Sequence, residues 1–167
     1  MHQRCCWGWQ TLSETRSLLG IGSQVRVFGM GKATIQIKIQ NWDDLALAAV
    51  GKRKRPARSV EVEALDDTGA VKLYIQSSTI EELGLRHIGE VRSRTMSNQT
   101  VTRRVFSPVD LEIQGRSGRF DVIEVPDALP NLIGQIPLED LDLVVDCQGR
   151  KLIPNPEHKN GVLYDEY

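Results

Sequence analysis

The feature that most constrains the fold is a strict two-residue alternation that recurs in short bursts. Ile35, Ile37 and Ile39 share one parity, with Gln36 and Lys38 between them. Val60, Val62 and Ala64 repeat the pattern around Glu61 and Glu63. This period puts one face of an extended chain in a core and the other in water. Turn formers are scattered along the sequence, with 14 Gly and 7 Pro. Many short strands with frequent turns predict an all-β fold, closed or sandwiched, with one or two short helices.

The other elements follow from local signals. Asn41-Trp42-Asp43-Asp44 caps a short helical turn over 45–50. The run Gly51-Lys52-Arg53-Lys54-Arg55-Pro56-Ala57-Arg58 reads as an exposed, solvated connection. A strand over 59–65 runs into Asp66-Asp67-Thr68-Gly69-Ala70, and a second strand follows over 71–75. Ser78-Thr79-Ile80-Glu81 has the form of a capping box, opening a short helix that Gly84 ends. Residues 90–106 are polar but β-prone, with a turn signal at Ser97-Asn98, and predict a long hairpin. Strands over 109–113 and 119–125 pair around 115–118. Leu132-Ile133-Gly134 is a buried apolar run. A short helix over 137–141 has Pro137 in its first turn. A last hairpin joins 143–145 to 151–153, and the chain beyond Pro154 reads as polar and irregular. Residues 1–29, with Cys5, Cys6, Trp7 and Trp9, sustain no period. They predict an N-terminal extension, either upstream of a start at Met30 or docked as an arm on one domain over 30–167.

Composition narrows the function. Lys and Arg number 21 against 22 Asp and Glu, and aromatic residues are 5%. That balance argues against a nucleic-acid binder, which carries a basic excess and stacking rings. The three cysteines, Cys5, Cys6 and Cys147, form neither a zinc spacing nor a disulfide framework. With no apolar run near 18 residues, a transmembrane helix is not expected. The expected compartment is the cytoplasm. His87 and His158 read as surface residues, and Asp127, Asp140, Asp142 and Asp146 as turn or helix-start residues rather than metal ligands.

Asp67-Thr68-Gly69 closes an alternating strand, a polar hairpin follows, and Asn131-Leu132-Ile133-Gly134 leads into a short helix. In this order and spacing the chain resembles the retropepsin-like aspartic proteases, closest to their small bacterial and archaeal members, over roughly residues 30–164. The resemblance implies the closed β barrel of acid proteases and an aspartic endopeptidase that needs no metal or cofactor. It implies that Asp67, Thr68 and Gly69 form the catalytic triplet. Asp67 is then the acid/base, the Thr68 hydroxyl bonds across a dimer, and Gly69 lets the backbone approach the carboxylates. Ala70, Ile133 and Gly134 would border the substrate, and Met96, Ser97 and Asn98 would form the tip of a closing flap. Because the chain has one triplet, the resemblance implies a homodimer acting on a peptide or protein substrate, with no nucleic-acid or membrane partner. Two carboxylates held a few Å apart cannot both ionise, so the pair shares a proton and supplies both a base and an acid.

Three positions depart from the family pattern. Asp66 replaces an aliphatic residue, and by alternation it falls on the inward face, where a lone carboxylate is costly. Val71 stands where a small polar residue is usual. Lys72 places a cation within reach of Asp66 as a partner. These departures motivate an alternative: a protease-like dimer that binds peptide or protein without cleaving it.

Overall fold

The structure, a computed structural model, describes residues 34–94, 99–146, 149, 151–158 and 161–162. The extension 1–29, Met96, Ser97, Asn98 and all three cysteines lie outside the described residues.

Nine strands and three helices alternate along these residues. They are β1 (Thr34–Asn41), α1 (Trp42–Ala49), β2 (Ser59–Asp66), β3 (Leu73–Gln76), α2 (Ser77–Leu83), β4 (His87–Arg94), β5 (Thr100–Ile113), β6 (Arg116–Val125), β7 (Asn131–Ile133), α3 (Gln135–Asp140), β8 (Leu143–Asp146) and β9 (Lys151–Pro154). The main sheet runs β1-β2-β7-β3-β6-β5-β4, and β1 also pairs with β5. That second pairing closes six strands into a barrel and leaves β4 on the outside of β5. Strands β8 and β9 form a separate hairpin.

The alternating positions fill the barrel. Ile37 and Ile39 of β1, Leu73 and Ile75 of β3, Val109, Leu111 and Ile113 of β5, and Val122 of β6 are all but completely buried. Each such side chain contributes about 1.5–3 kcal/mol on leaving water. Asn41 ends β1 and caps α1, its side chain accepting from the Asp44 N–H at 3.1 Å. Gln114 and Gly115 both have positive φ and link Ile113 to Arg116, the two-residue turn whose twist matches a hairpin.

Several local expectations change. There are three helices rather than one or two, because the Asn41 cap extends its turn into an eight-residue helix. Strand β3 starts at Leu73, leaving Val71 in a loop and 53% exposed. The box at Ser78 does not form: α2 is preceded by Gln76, which makes no side-chain cap. Asp127 serves instead, its Oδ1 accepting from the Ser78 N–H and hydroxyl, both at 3.0 Å. Strand β5 continues through Pro108 by a bulge between Phe106 and Val109. Proline is tolerated at such a break in the ladder, and the buried Ser107 exchanges bonds there with the Arg86 backbone. The basic run is not simply solvated. Arg53 and Arg58 both turn back onto the buried Asp44 carboxylate, at 3.0 and 2.7 Å.

The C-terminal segment is also more ordered than its polarity suggests. Asp142, buried and in left-handed backbone, meets Arg116 at 3.1 Å and His158 at 2.8 Å, and accepts from the Asn155 side chain at 2.9 Å. His158 is therefore part of a clasp holding the residues after β9 to the barrel. Burial pushes the Asp142 carboxyl up, but bonds from Asn155, His158 and Arg116 outweigh it and hold the group below the usual carboxylate range.

Candidate active site

The residues from Asp67 to Lys72 form a tight loop between β2 and β3, and β7 passes directly against it. The β2–β7 ladder is parallel, ending at the pair Asp66 and Ile133. It carries on one step further, the Asp67 N–H donating to the Ile133 carbonyl at 3.0 Å. The Ala70 N–H then closes the turn on the Asp67 carbonyl at 2.9 Å. On the far side, the N–H groups of Gly134, Gln135 and Ile136 donate to the carbonyls of Lys72, Ala70 and Val71 at 2.9, 2.8 and 3.1 Å. The loop is thus fixed by main-chain bonds from both edges.

Glycine is required at one of these contacts. A Cβ on Gly134 would lie 2.4 Å from the Lys72 carbonyl oxygen and 2.6 Å from the Val71 carbonyl carbon. Backbone sits where any side chain would go. At Gly69 the space is less extreme: a Cβ would come 3.2 Å from Asp67 Oδ1, and the Gly69 N–H donates to that oxygen at 3.0 Å. Gly69 therefore brings its amide up to the carboxylate.

Strand parity separates the two neighbouring acids. Ala64 and Asp66 face the core, and Asp66 is only 2% exposed. Leu65 and Asp67 belong to the opposite, outer face, where Asp67 is half-buried. Lys72 enters no ion pair among the described residues, so the expected partnership with Asp66 is not formed there. No buried side-chain polar atom of the described residues lacks a hydrogen-bond partner.

The outer face carries a row of apolar side chains leading away from Asp67. Leu65 is in register with Leu132, Leu132 with Tyr74, Tyr74 with Ile123, and Ile123 with Val105. Residues laterally paired in a sheet project to the same side. Ile123 in this row is 4% exposed and the others are half-buried. At the end of the row, β4 and β5 rise from the barrel as a hairpin. Its residues 95–98, including Met96, Ser97 and Asn98, lie outside the described residues.

The site residues read from sequence fall in three groups. Asp67, Thr68, Gly69 and Ala70 make up the loop. Gly134 is the backbone contact beneath it. Ile133 is fully buried in the core and meets the loop through its carbonyl; Leu132 is the β7 residue whose side chain shares the face of Asp67. Local sequence signals mark Leu132 only as part of a buried run and do not mark Tyr74, Ile123 or Val105 as site residues. Strand parity marks them, but only once the pairing of β7, β3, β6 and β5 is known. Asn131 was likewise read only as part of a motif. It bridges three strands, donating to the Glu63 carbonyl at 2.9 Å and accepting from the Gln76 N–H at 2.9 Å.

Thr68 is exposed and borders an open cleft of about 420 Å³ lined by Leu138, Leu143, Val144 and Val145. Val71 and Ile136, joined by their backbone bond, are 53% and 42% exposed. Among the described residues there is no cluster of His, Cys, Asp and Glu able to hold a metal ion, and no helix is long and apolar enough to cross a membrane. Neither a protein-family model nor a curated protein matches the chain.

Proposed function

We propose that this chain is an aspartic endopeptidase of the retropepsin-like kind, active as a homodimer in which two Asp67 carboxylates meet across a two-fold axis. The observation that carries the reading is the Asp67 loop. A carboxylate stands just past a barrel strand, on a loop bonded from both edges through main chain, with a glycine amide at one oxygen. An apolar row on the same face offers a bed for an extended peptide.

In this reading one Asp67 is ionised and its twin protonated. The ionised group takes a proton from water as the water oxygen attacks the scissile carbonyl. The protonated group gives its proton to the amide nitrogen as the C–N bond breaks. The exposed Thr68 hydroxyl, the exposed Val71 and Ile136, and the cleft beside Thr68 supply the surface that a second copy would cover. Asp66 projects into the core, so the strand backbone stands between it and the proposed dyad.

The test is cleavage of a general protein substrate such as casein at mildly acidic pH, by the wild type and by Asp67→Asn. Cleavage that the variant loses supports the proposal. Absence of cleavage by both, with peptide binding retained, supports instead a peptide-binding dimer, the reading that Val71 favours.

A further inference from the structure

The β4–β5 hairpin concentrates positive charge. Over residues 86–106, where the two strands pair, Arg86, Arg92, Arg94, Arg103 and Arg104 stand against Glu90 alone, in a chain whose net charge is −1. Two of these cations serve the fold: Arg86 pairs with Asp43 at 2.8 Å, and Arg104 pairs with Glu124. Arg92, Arg94 and Arg103 enter no ion pair among the described residues.

Register then separates these three. Arg92 faces Thr102, and Arg94 faces Thr100, on the hairpin face that also holds Glu90 and Arg104. All of these are exposed. Arg103 faces Val91 on the other side, two residues from Val105 and half-buried. Val105 ends the apolar row that begins at Leu65 beside Asp67. Arg103 is therefore the cation on the Asp67 face of the hairpin. Four strand spacings, about 19 Å, separate Leu65 from Val105 along the sheet, and Asp67 and Arg103 lie two residues beyond opposite ends of that row, about 23 Å apart, which an extended peptide spans in about seven residues.

Resting on the protease reading, we infer that Arg103 selects substrates bearing an acidic side chain within about seven residues of the cleaved bond. A peptide laid along the apolar row would bring a Glu or Asp to the guanidinium, which binds carboxylates through a planar fork. The surrounding Arg92 and Arg94 would add only a screened, long-range attraction from the opposite face.

The test uses a cleavable peptide in three versions, with Glu, Gln or Lys at the varied position, and a single-stranded oligonucleotide as a competing polyanion. Binding to the Asp67→Asn protein and cleavage by the active protein are measured side by side. The Glu peptide should be favoured over the Gln peptide by about tenfold, the worth of one charge-assisted hydrogen bond. Arg103→Thr, which keeps a β-prone residue, should level the two. Arg103→Glu should favour the Lys peptide, and Arg92→Thr should leave the preference in place. Selective binding without any cleavage supports the inference and removes the hydrolase reading. Cleavage with no charge preference removes the inference and keeps the hydrolase. Equal rates and affinities for all three peptides, equal loss on Arg92→Thr, or tighter binding of the oligonucleotide than of the Glu peptide would each overturn it.

Discussion

Asp67 and the pair Asp44 and Asp142 show two ways of placing a carboxylate in one small barrel. Asp44 and Asp142 are themselves the fastening points. Asp44 is gripped by Arg53 and Arg58 and fixes the basic loop to α1. Asp142 gathers Arg116, Asn155 and His158 and fixes the C-terminal segment. The Asp67 loop is fastened the other way, through main-chain bonds to Ile133, Gly134, Gln135 and Ile136. Structural acids are held by their own charge, whereas this one is positioned by its neighbours' backbone. Replacing the first kind should therefore cost stability, and replacing the second should cost chemistry.

The largest effect expected is on activity. Asp67→Asn keeps an oxygen to accept the Gly69 N–H, so its unfolding free energy should move by less than about 0.5 kcal/mol. Its cleavage rate should fall by about 10²–10⁴-fold, the usual worth of a general acid–base group. Urea titration and a substrate assay on the same preparation check both halves. Gly134→Ala should do the reverse. A Cβ forced against Lys72 and Val71 backbone should cost about 3 kcal/mol, read as a lower urea midpoint, with activity lost because the loop moves.

Asp44→Asn should cost about 2 kcal/mol, less than a fully buried pair because the Arg58 side chain is 42% exposed. It should also change the acid limb of the stability curve. The Arg58 hydrogen bond holds the Asp44 carboxyl below its ordinary range despite burial, and Asp142 is lowered too. Both acids thus stabilise the fold at pH above the unfolded carboxylate value. That stability is lost as pH falls through their depressed folded values. Wild-type stability should hold through mildly acidic pH, then drop, and Asp44→Asn should show a shallower drop. Smallest is Asp127→Ala, which removes the acceptor for the first turn of α2 and should cost about 1 kcal/mol in the same titration.

What the sequence made legible was local. The parity of Ile35, Ile37 and Ile39 marks the core face of β1 without reference to any other strand. The same parity sends Asp66 inward. Asn41 announces α1 because its cap reaches only three residues ahead. What stayed hidden depends on residues far apart in the chain. The bond from Asp127 that replaces the Ser78 box spans 49 residues. The Asp142 clasp joins Arg116 to His158, and no period relates them. Arg53 and Arg58 looked solvated because a run of cations does not show that a buried acid waits across the loop. At the site, the Asp67 turn was readable as a motif. The row from Leu65 to Val105 was not, since it exists only through pairing among five strands.

The central claim is that two copies of Asp67 make one reaction centre, and mixed dimers test it most directly. Wild-type chain and Asp67→Asn chain are co-refolded in varying ratio, and cleavage per total chain is measured. If each centre needs both carboxylates, activity should follow the square of the wild-type fraction, with about a quarter remaining at an equal mixture. A linear fall, with half the activity at that point, would mean that each chain works alone and would contradict the account.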